Sequence, residues 1–238
     1  MAVPTHVLFD FFGTLVDYSA SRTDQGYHAS HRLASELGAD LTYARFLDEW
    51  ARICTEHDRR SDEDDREYSM MDVGAAFLRH VLGREPAHTD VESFVDRYVG
   101  EWNAGVRYPP AIPDMVGHLL GEYRLAIVTN TYHATLVPRH LEAMGLRSSF
   151  EAVVTSVEVG WRKPHPRIYR AALDALGIAA ASAVFVGDTY LPDFVGPRRV
   201  GMRAYLIDAG HTAPVSAHHR LSSILELPDR LGAIGRGR

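Results

Sequence analysis

The sequence predicts a doubly wound, Rossmann-like α/β domain interrupted by a helical insertion. Three observations predict it. Five short apolar runs each stop at a polar residue. Helix-like stretches separate the second to fifth of these runs. From about Asp17 to Glu101, between the first run and the second, there is no strand-like run at all. A strand buried on both faces reads as continuous apolar sequence, which is the mark of a parallel sheet covered by helices.

The elements follow in order. Val7-Leu8-Phe9 is the first strand and ends at Asp10, with Gly13-Thr14 just beyond. The insertion reads as four amphipathic helices over 25–37, 42–57, 71–82 and 91–99. Asp24, Thr42, Ser69 and either Thr89 or Asp90 are the expected N-caps, and Gly38, Gly83 and Gly100 the expected stops. The charge-dense stretch 59–66 reads as a solvated loop or helix start. The prolines of 108–113 mark re-entry into the sheet domain. A helix over 113–123 then leads to the strand Leu125–Val128, which ends in Thr129-Asn130. A helix over 136–144 leads to Ala152–Val154, ending in Thr155-Ser156. A helix over 167–176 leads to Ala183–Val186, ending in Gly187-Asp188. A helix over 194–200 leads to Ala204–Ile207, ending at Asp208. A short helix near Leu221–Leu225 and a frayed Gly/Arg-rich end complete the reading. The domains expected are a core of 1–16 and 101–238 and a helical cap of 17–100.

Composition narrows the class. Hydrophobic residues make up 46% and charged residues 24%, ordinary for a chain that buries its own core. A net charge of −6 with no basic stripe argues against nucleic acid as a partner. The single cysteine, Cys54, permits no intrachain disulfide and reads as a small buried residue. The first residues lack a signal-peptide pattern, and no apolar run is long enough to span a bilayer. A cytoplasmic monomer or homodimer acting on a small molecule is therefore expected, with no membrane partner.

In open α/β sheets, ligands bind beyond the carboxyl ends of the strands. Asp10, Thr129 and Asp188 all fall there, with Asp193 five residues after Asp188. Lys163 lies in the loop after the third run and is the only lysine among 25 Lys plus Arg. Arginine presents a planar fork and lysine a compact point charge, so a lone lysine marks a place where a guanidinium does not serve. A carboxylate can attack an electrophile and form a covalent intermediate. A hydroxyl and an ammonium can hold an anionic group. An acidic pair can hold a hard cation such as Mg2+.

Together these segments resemble the four motifs of the haloacid dehalogenase-like hydrolase superfamily. Asp10-Phe-Phe-Gly-Thr14 resembles the first, Thr129-Asn130 the second, Lys163-Pro164 the third, and Gly187-Asp188 through Asp193 the fourth. The insertion resembles that family's C1 cap. The resemblance implies that Asp10 is the nucleophile and that Thr129, Asn130 and Lys163 hold the transferring group. It further implies Mg2+ bound by Asp10, the backbone carbonyl of Phe12, Asp188 and Asp193. The departure is Phe12, because family phosphatases usually carry a second Asp there as general acid and base. Such help is worth about 10²–10⁴-fold, so a phosphatase with Phe12 needs an easy leaving group or another donor. His28, His31 and His57 of the insertion are candidate donors. Two alternatives stay open. One is a metal-independent C–halogen hydrolase like the 2-haloacid dehalogenases, with Arg45, Arg52 or Arg59 meeting a substrate carboxylate. The other is a vestigial member that only binds a ligand or partner. Phe11, Phe12, Tyr132 and Trp161 are aromatic candidates for the pocket wall.

Overall fold

The structure is a computed structural model that describes residues 3–19 and 25–236. Two compact units make up the chain: Met1–Asp17 with Tyr108–Arg238, and Tyr18–Arg107. The expected N-cap Asp24 and the last two residues of the frayed tail lie outside the described residues.

The inserted unit is helical: α1 (His28–Glu36), α2 (Tyr43–Asp64), α3 (Met70–Leu82) and α4 (His88–Asn103). Its centre is aromatic. Tyr27, Phe46, Trp50, Phe77, Phe94 and Tyr98 are all buried, with Phe77 stacked on Phe94 at 5.2 Å and Trp50 edge-on to both. Thr42 caps α2 by accepting from the Arg45 N–H. Ser69 caps α3 in a reciprocal box with Asp72, and Gly83 ends that helix in the left-handed conformation. Ser69→Ala removes one half of that box. It is expected to cost about 1 kcal/mol in denaturant titration with turnover unchanged, and a shift below a few tenths would mean that Asp72 caps unaided.

Three expectations fail here. The segment 59–66 is not a loop or helix start, since α2 runs on through Asp64. Arg59 and Arg60 reach back to Glu56 at 3.0 and 2.9 Å, and Arg59 also pairs with Glu63, so charges one turn apart carry the helix forward. The N-cap of α4 is Ala87, not Thr89 or Asp90. Gly100 lies inside α4 instead of stopping it, with nothing within 4 Å of where a Cβ would stand. The helix therefore continues to Asn103, and the unit boundary falls after Arg107 instead of at 100.

The other unit is built on six parallel strands: β1 (His6–Phe9), β2 (Arg124–Thr129), β3 (Ala152–Thr155), β4 (Ala183–Gly187), β5 (Arg203–Ile207) and β6 (Arg220–Leu221). Their order is β3-β2-β1-β4-β5-β6. Helices α5 (Ile112–Leu120), α6 (Leu136–Ala143), α7 (Ser156–Val159), α8 (Pro166–Leu176), α9 (Gly196–Arg199) and α10 (Leu227–Arg236) connect and follow them. Val7, Leu8, Phe9, Ile127, Val128, Val184, Phe185 and Val186 are fully buried, as continuous apolar runs require. The two-residue β6 was too short to be read from sequence, and α10 replaces most of the expected frayed end. Among the described residues no helix is long and apolar enough to cross a membrane.

The strand order reverses at β1, which lies between β2 and β4. Phe9 is in register with Ile127 on one side and Val186 on the other. The next residue, Asp10, thus emerges at the carboxyl edge at the switch point, where such sheets bind ligands.

Candidate active site

Each strand end delivers one polar group to this edge. Asp10 follows β1, and its backbone N–H donates to the Val186 carbonyl at 2.9 Å. The Phe11 carbonyl then accepts from Thr14, Leu15 and Val16, which folds the chain into a tight turn. Gly13 sits in that turn at φ +84, and a Cβ there would run into the Asp188 carboxylate. Only glycine allows both the conformation and that approach.

Thr129 ends β2 and donates its hydroxyl to Asp10 Oδ1 at 2.9 Å. The next residue, Asn130, clasps the lysine loop: its Nδ2 donates to the Lys163 carbonyl at 3.0 Å, and its Oδ1 accepts from the Lys163 N–H at 2.7 Å. Ser156, after β3, accepts from the Thr131 N–H at 2.9 Å and so ties the two neighbouring strand ends together. These bonds fix where Lys163 stands.

Lys163 Nζ reaches Asp10 Oδ1 at 2.6 Å and Asp193 Oδ1 at 2.7 Å, and lies 5.3 Å from the centre of the Phe185 ring. Lys163, Asp10 and Asp193 are 3%, 6% and 1% exposed, so this ion triplet is dry. Burial pulls the lysine pKa down, but the two carboxylates outweigh it and hold it above its ordinary value. One ammonium shared between two carboxylates leaves an uncompensated negative charge.

Asp193 lies on a π-helical turn, Tyr190–Val195, inserted between β4 and α9. The sequence reading placed a helix only from residue 194. The wide turn lets the Thr189 N–H donate to Asp193 Oδ2 at 2.9 Å while Oδ1 faces the lysine. Such turns recur at functional sites. Gly187 is required below it, because a Cβ there would collide with the Asp193 carboxyl. Burial, then the charge of Asp10, raises the Asp193 pKa to about 7 against the pull of Lys163. Asp188 is exposed at its outer edge. Loss of hydration on its inner side, then the Asp10 charge, raises its pKa as well. Oxygens of Asp10, Asp188 and Asp193 all lie within 4.8 Å of one another.

The catalytic and metal-holding side chains expected in the core therefore meet at one edge: Asp10, Thr129, Lys163, Asp188 and Asp193 directly, and Asn130 through the Lys163 backbone. Phe12 stands beside them, half-buried, edge-on to Phe11 at 5.0 Å and to His140 at 5.9 Å. Two participants were not read from sequence. Thr14 donates to Asp10 Oδ2 at 3.3 Å. His140 of α6 backs the Phe12 ring and pairs its Nδ1 with the Tyr108 hydroxyl at 2.8 Å. The remaining nitrogen of His140, Nε2, is sealed from solvent without a hydrogen-bond partner, and burial lowers the pKa of the ring.

The architecture and its acidic switch-point site define a doubly wound α/β domain with an inserted helical unit. A family model described as haloacid dehalogenase-like hydrolase matches residues 4–201, and the chain belongs to that family. It is 42% identical over 88 residues to human haloacid dehalogenase-like hydrolase domain-containing protein 3, covering 35% of this chain and 33% of that protein. It is 34% identical over 125 residues to human N-acylneuraminate-9-phosphatase, half of each chain. It is 42% identical over 86 residues to a phosphoserine phosphatase of Thermus thermophilus, covering 36% of this chain and 34% of that one. The matches span a third to a half of these relatives. Among solved structures, a 2-haloacid dehalogenase from Pseudomonas syringae superposes with a TM-score of 0.71 at 21% identity, covering 97% of this chain and 99% of that one. A HAD phosphatase from Thermococcus onnurineus superposes with a TM-score of 0.64 at 25% identity, covering 96% and 98%.

Proposed function

We propose that this hydrolase is a Mg2+-dependent phosphatase acting on a small phosphorylated metabolite through an aspartyl-phosphate on Asp10. The observation that carries the reading is the clustering of three carboxylates, Asp10, Asp188 and Asp193, of which one lysine pairs with only Asp10 and Asp193. Their donor set is all hard oxygen, which suits Mg2+. Burial first, and then the Asp10 charge, raises the pKa values of Asp188 and Asp193, and a divalent cation would offset both effects. The residues present thus fit the ion, with Asp10, Asp188, Asp193 and the Phe12 carbonyl as its proposed holders. Bound Mg2+ supplies positive charge against the phosphoryl oxygens. Phosphatases among the relatives support the same reaction class.

In this reading an Asp10 oxygen forms the bond to phosphorus. Thr129 and Lys163 orient the carboxylate by donating to Oδ1 and offset charge on the transferring group. Asn130 acts through the lysine loop that it clasps. The helical unit is assigned the cap role from its place in the chain. A second reading, metal-independent C–halogen hydrolysis, rests on the apolar Phe12 beside Asp10, but it gives Asp188 and Asp193 no task. A binding-only member rests on the same residue.

The test is phosphate release from p-nitrophenyl phosphate with Mg2+ and with excess chelator. Release only with the metal is expected. Halide release from 2-haloacids in chelator, with no phosphate release in either condition, would replace this reading by the second.

A further inference from the structure

We infer that the substrate is a phosphate whose leaving group departs as a stabilised anion, such as a carboxylate, phenolate or enolate, and not an alkyl phosphate. The inference rests on the phosphatase reading and narrows its substrate class. It comes from a census of protons in the sheet unit. The Thr129 hydroxyl has one hydrogen, given to Asp10 Oδ1, and the Thr14 hydroxyl gives its own to Asp10 Oδ2. Lys163 is tied between Asp10 and Asp193. Both Asp193 oxygens already accept, Oδ1 from Lys163 and Oδ2 from the Thr189 N–H, and Asp188 Oδ1 accepts from the Thr189 hydroxyl. Phe12, beside the nucleophile, carries no proton to give.

The imidazole packed against Phe12 is shut away. His140 is 4% exposed, its Nδ1 is engaged by Tyr108, and its Nε2 lies buried with no partner. The rings of Phe11 and Phe12 pack against it, each with its centre 5.9 Å away. This is the arrangement of a wall.

The reaction then balances without an enzyme proton. An Asp10 oxygen bonds to phosphorus, the bond from phosphorus to the leaving oxygen breaks, and its electron pair leaves with that oxygen as an anion. Water next attacks phosphorus, and the Asp10–phosphorus bond breaks. The carboxylate returns, and the protons of the water stay with phosphate and solvent. Phosphoryl transfer has a loose transition state in which charge builds on the leaving oxygen. With no donor among these described residues of the sheet unit, the rate should follow how well that oxygen carries charge.

The experiment measures kcat/KM, with Mg2+, for aryl phosphates of graded phenol acidity, acetyl phosphate and a simple alkyl phosphate. A fall of about 10²–10⁴-fold from the best leaving group to the alkyl ester is expected, the range that a general acid normally covers. Acetyl phosphate should fall with the fast aryl esters. Phe12→Asp should raise the alkyl rate and flatten the series, whereas Phe12→Asn, of similar shape but with no carboxyl, should keep it steep. A flat series in the unmodified protein overturns the inference and places a donor elsewhere. Fast aryl esters with acetyl phosphate as slow as the alkyl ester also overturn it, because ring contact would then explain the preference. Turnover of no phosphate at all refutes the phosphatase reading itself.

Discussion

Asp10→Asn should abolish turnover while leaving the folded protein at least as stable without metal. The loss expected is about 10⁴–10⁶-fold in kcat, the range seen when a nucleophile or its partner is removed. An amide keeps the shape and can still accept from Thr129 and Lys163, so binding and fold survive. It cannot form the covalent intermediate. The stability effect follows from charge. Asp193 is pushed up to about 7, by burial first and by the Asp10 carboxylate among the charges, from an ordinary 3.8. Between those values the folded protein holds a proton that the unfolded chain has released. By linkage, the metal-free protein loses stability as pH rises from about 4 to about 7, and this group adds no slope above or below. Removing the Asp10 charge lowers the Asp193 pKa and so draws the upper end of that window to lower pH. Thermal melts in chelator across this window, beside steady-state rates, test both parts. Activity within tenfold of the parent would refute Asp10 as nucleophile, and a stability loss ending at the same pH as in the parent would refute its charge coupling to Asp193.

Much of this site is legible in the sequence because a parallel sheet concentrates its chemistry where apolar runs stop. Asp10, Thr129 and Asp188 each interrupt such a run, and Lys163 stands out as the only lysine. Their convergence was implied by topology, since β1 lies between β2 and β4 at the reversal of strand order. What stayed hidden is short-range or long-range in ways that composition does not record. The π turn over Tyr190–Val195 differs from an α turn by one residue of width, yet it carries the Asp193 carboxylate to where it accepts from both Lys163 and the Thr189 N–H. Thr14 is a turn residue until the turn is built. His140 is one of 13 histidines, and its partner Tyr108 is 32 residues away. In the helical unit the heptad-like apolar spacing located all four helices, but their ends were set by ion pairs in α2 and by an unobstructed Gly100 in α4. Glycine stops a helix only when the chain turns there, and the sequence alone does not say whether it does.

Lys163→Met should be the most destabilising single change at the site, and Lys163→Arg should fail to restore activity. Methionine has the length of the lysine stem and fills the slot over Phe185, so packing is nearly kept. What is lost is the ammonium that separates Asp10 Oδ1 from Asp193 Oδ1, at 2.6 and 2.7 Å. Breaking a buried pair by removing one partner costs about 3–5 kcal/mol, because a charge is left unpaired in a dry place. Without metal the melting temperature should drop accordingly, and added Mg2+ should recover part of it by replacing the missing positive charge. Turnover should fall by about 10²–10³-fold with metal present, the usual cost of losing one preorganised donor. Arginine separates charge from shape. It carries the same charge, but on a planar fork larger than an ammonium, whereas two carboxylates from different elements meet here at one nitrogen. Forcing the fork in should cost about 1–3 kcal/mol by overpacking and move Asp10 off its line. The Arg protein is therefore expected to melt between the parent and the Met protein and to turn over no faster than the Met protein. Full activity with arginine would mean that charge alone suffices, and that this chain keeps its one lysine by accident of composition. Activity lost in both variants, with stability partly kept in one, would show that the site needs a point donor, which is the physical reason for a lysine at 163 in a chain that uses arginine everywhere else.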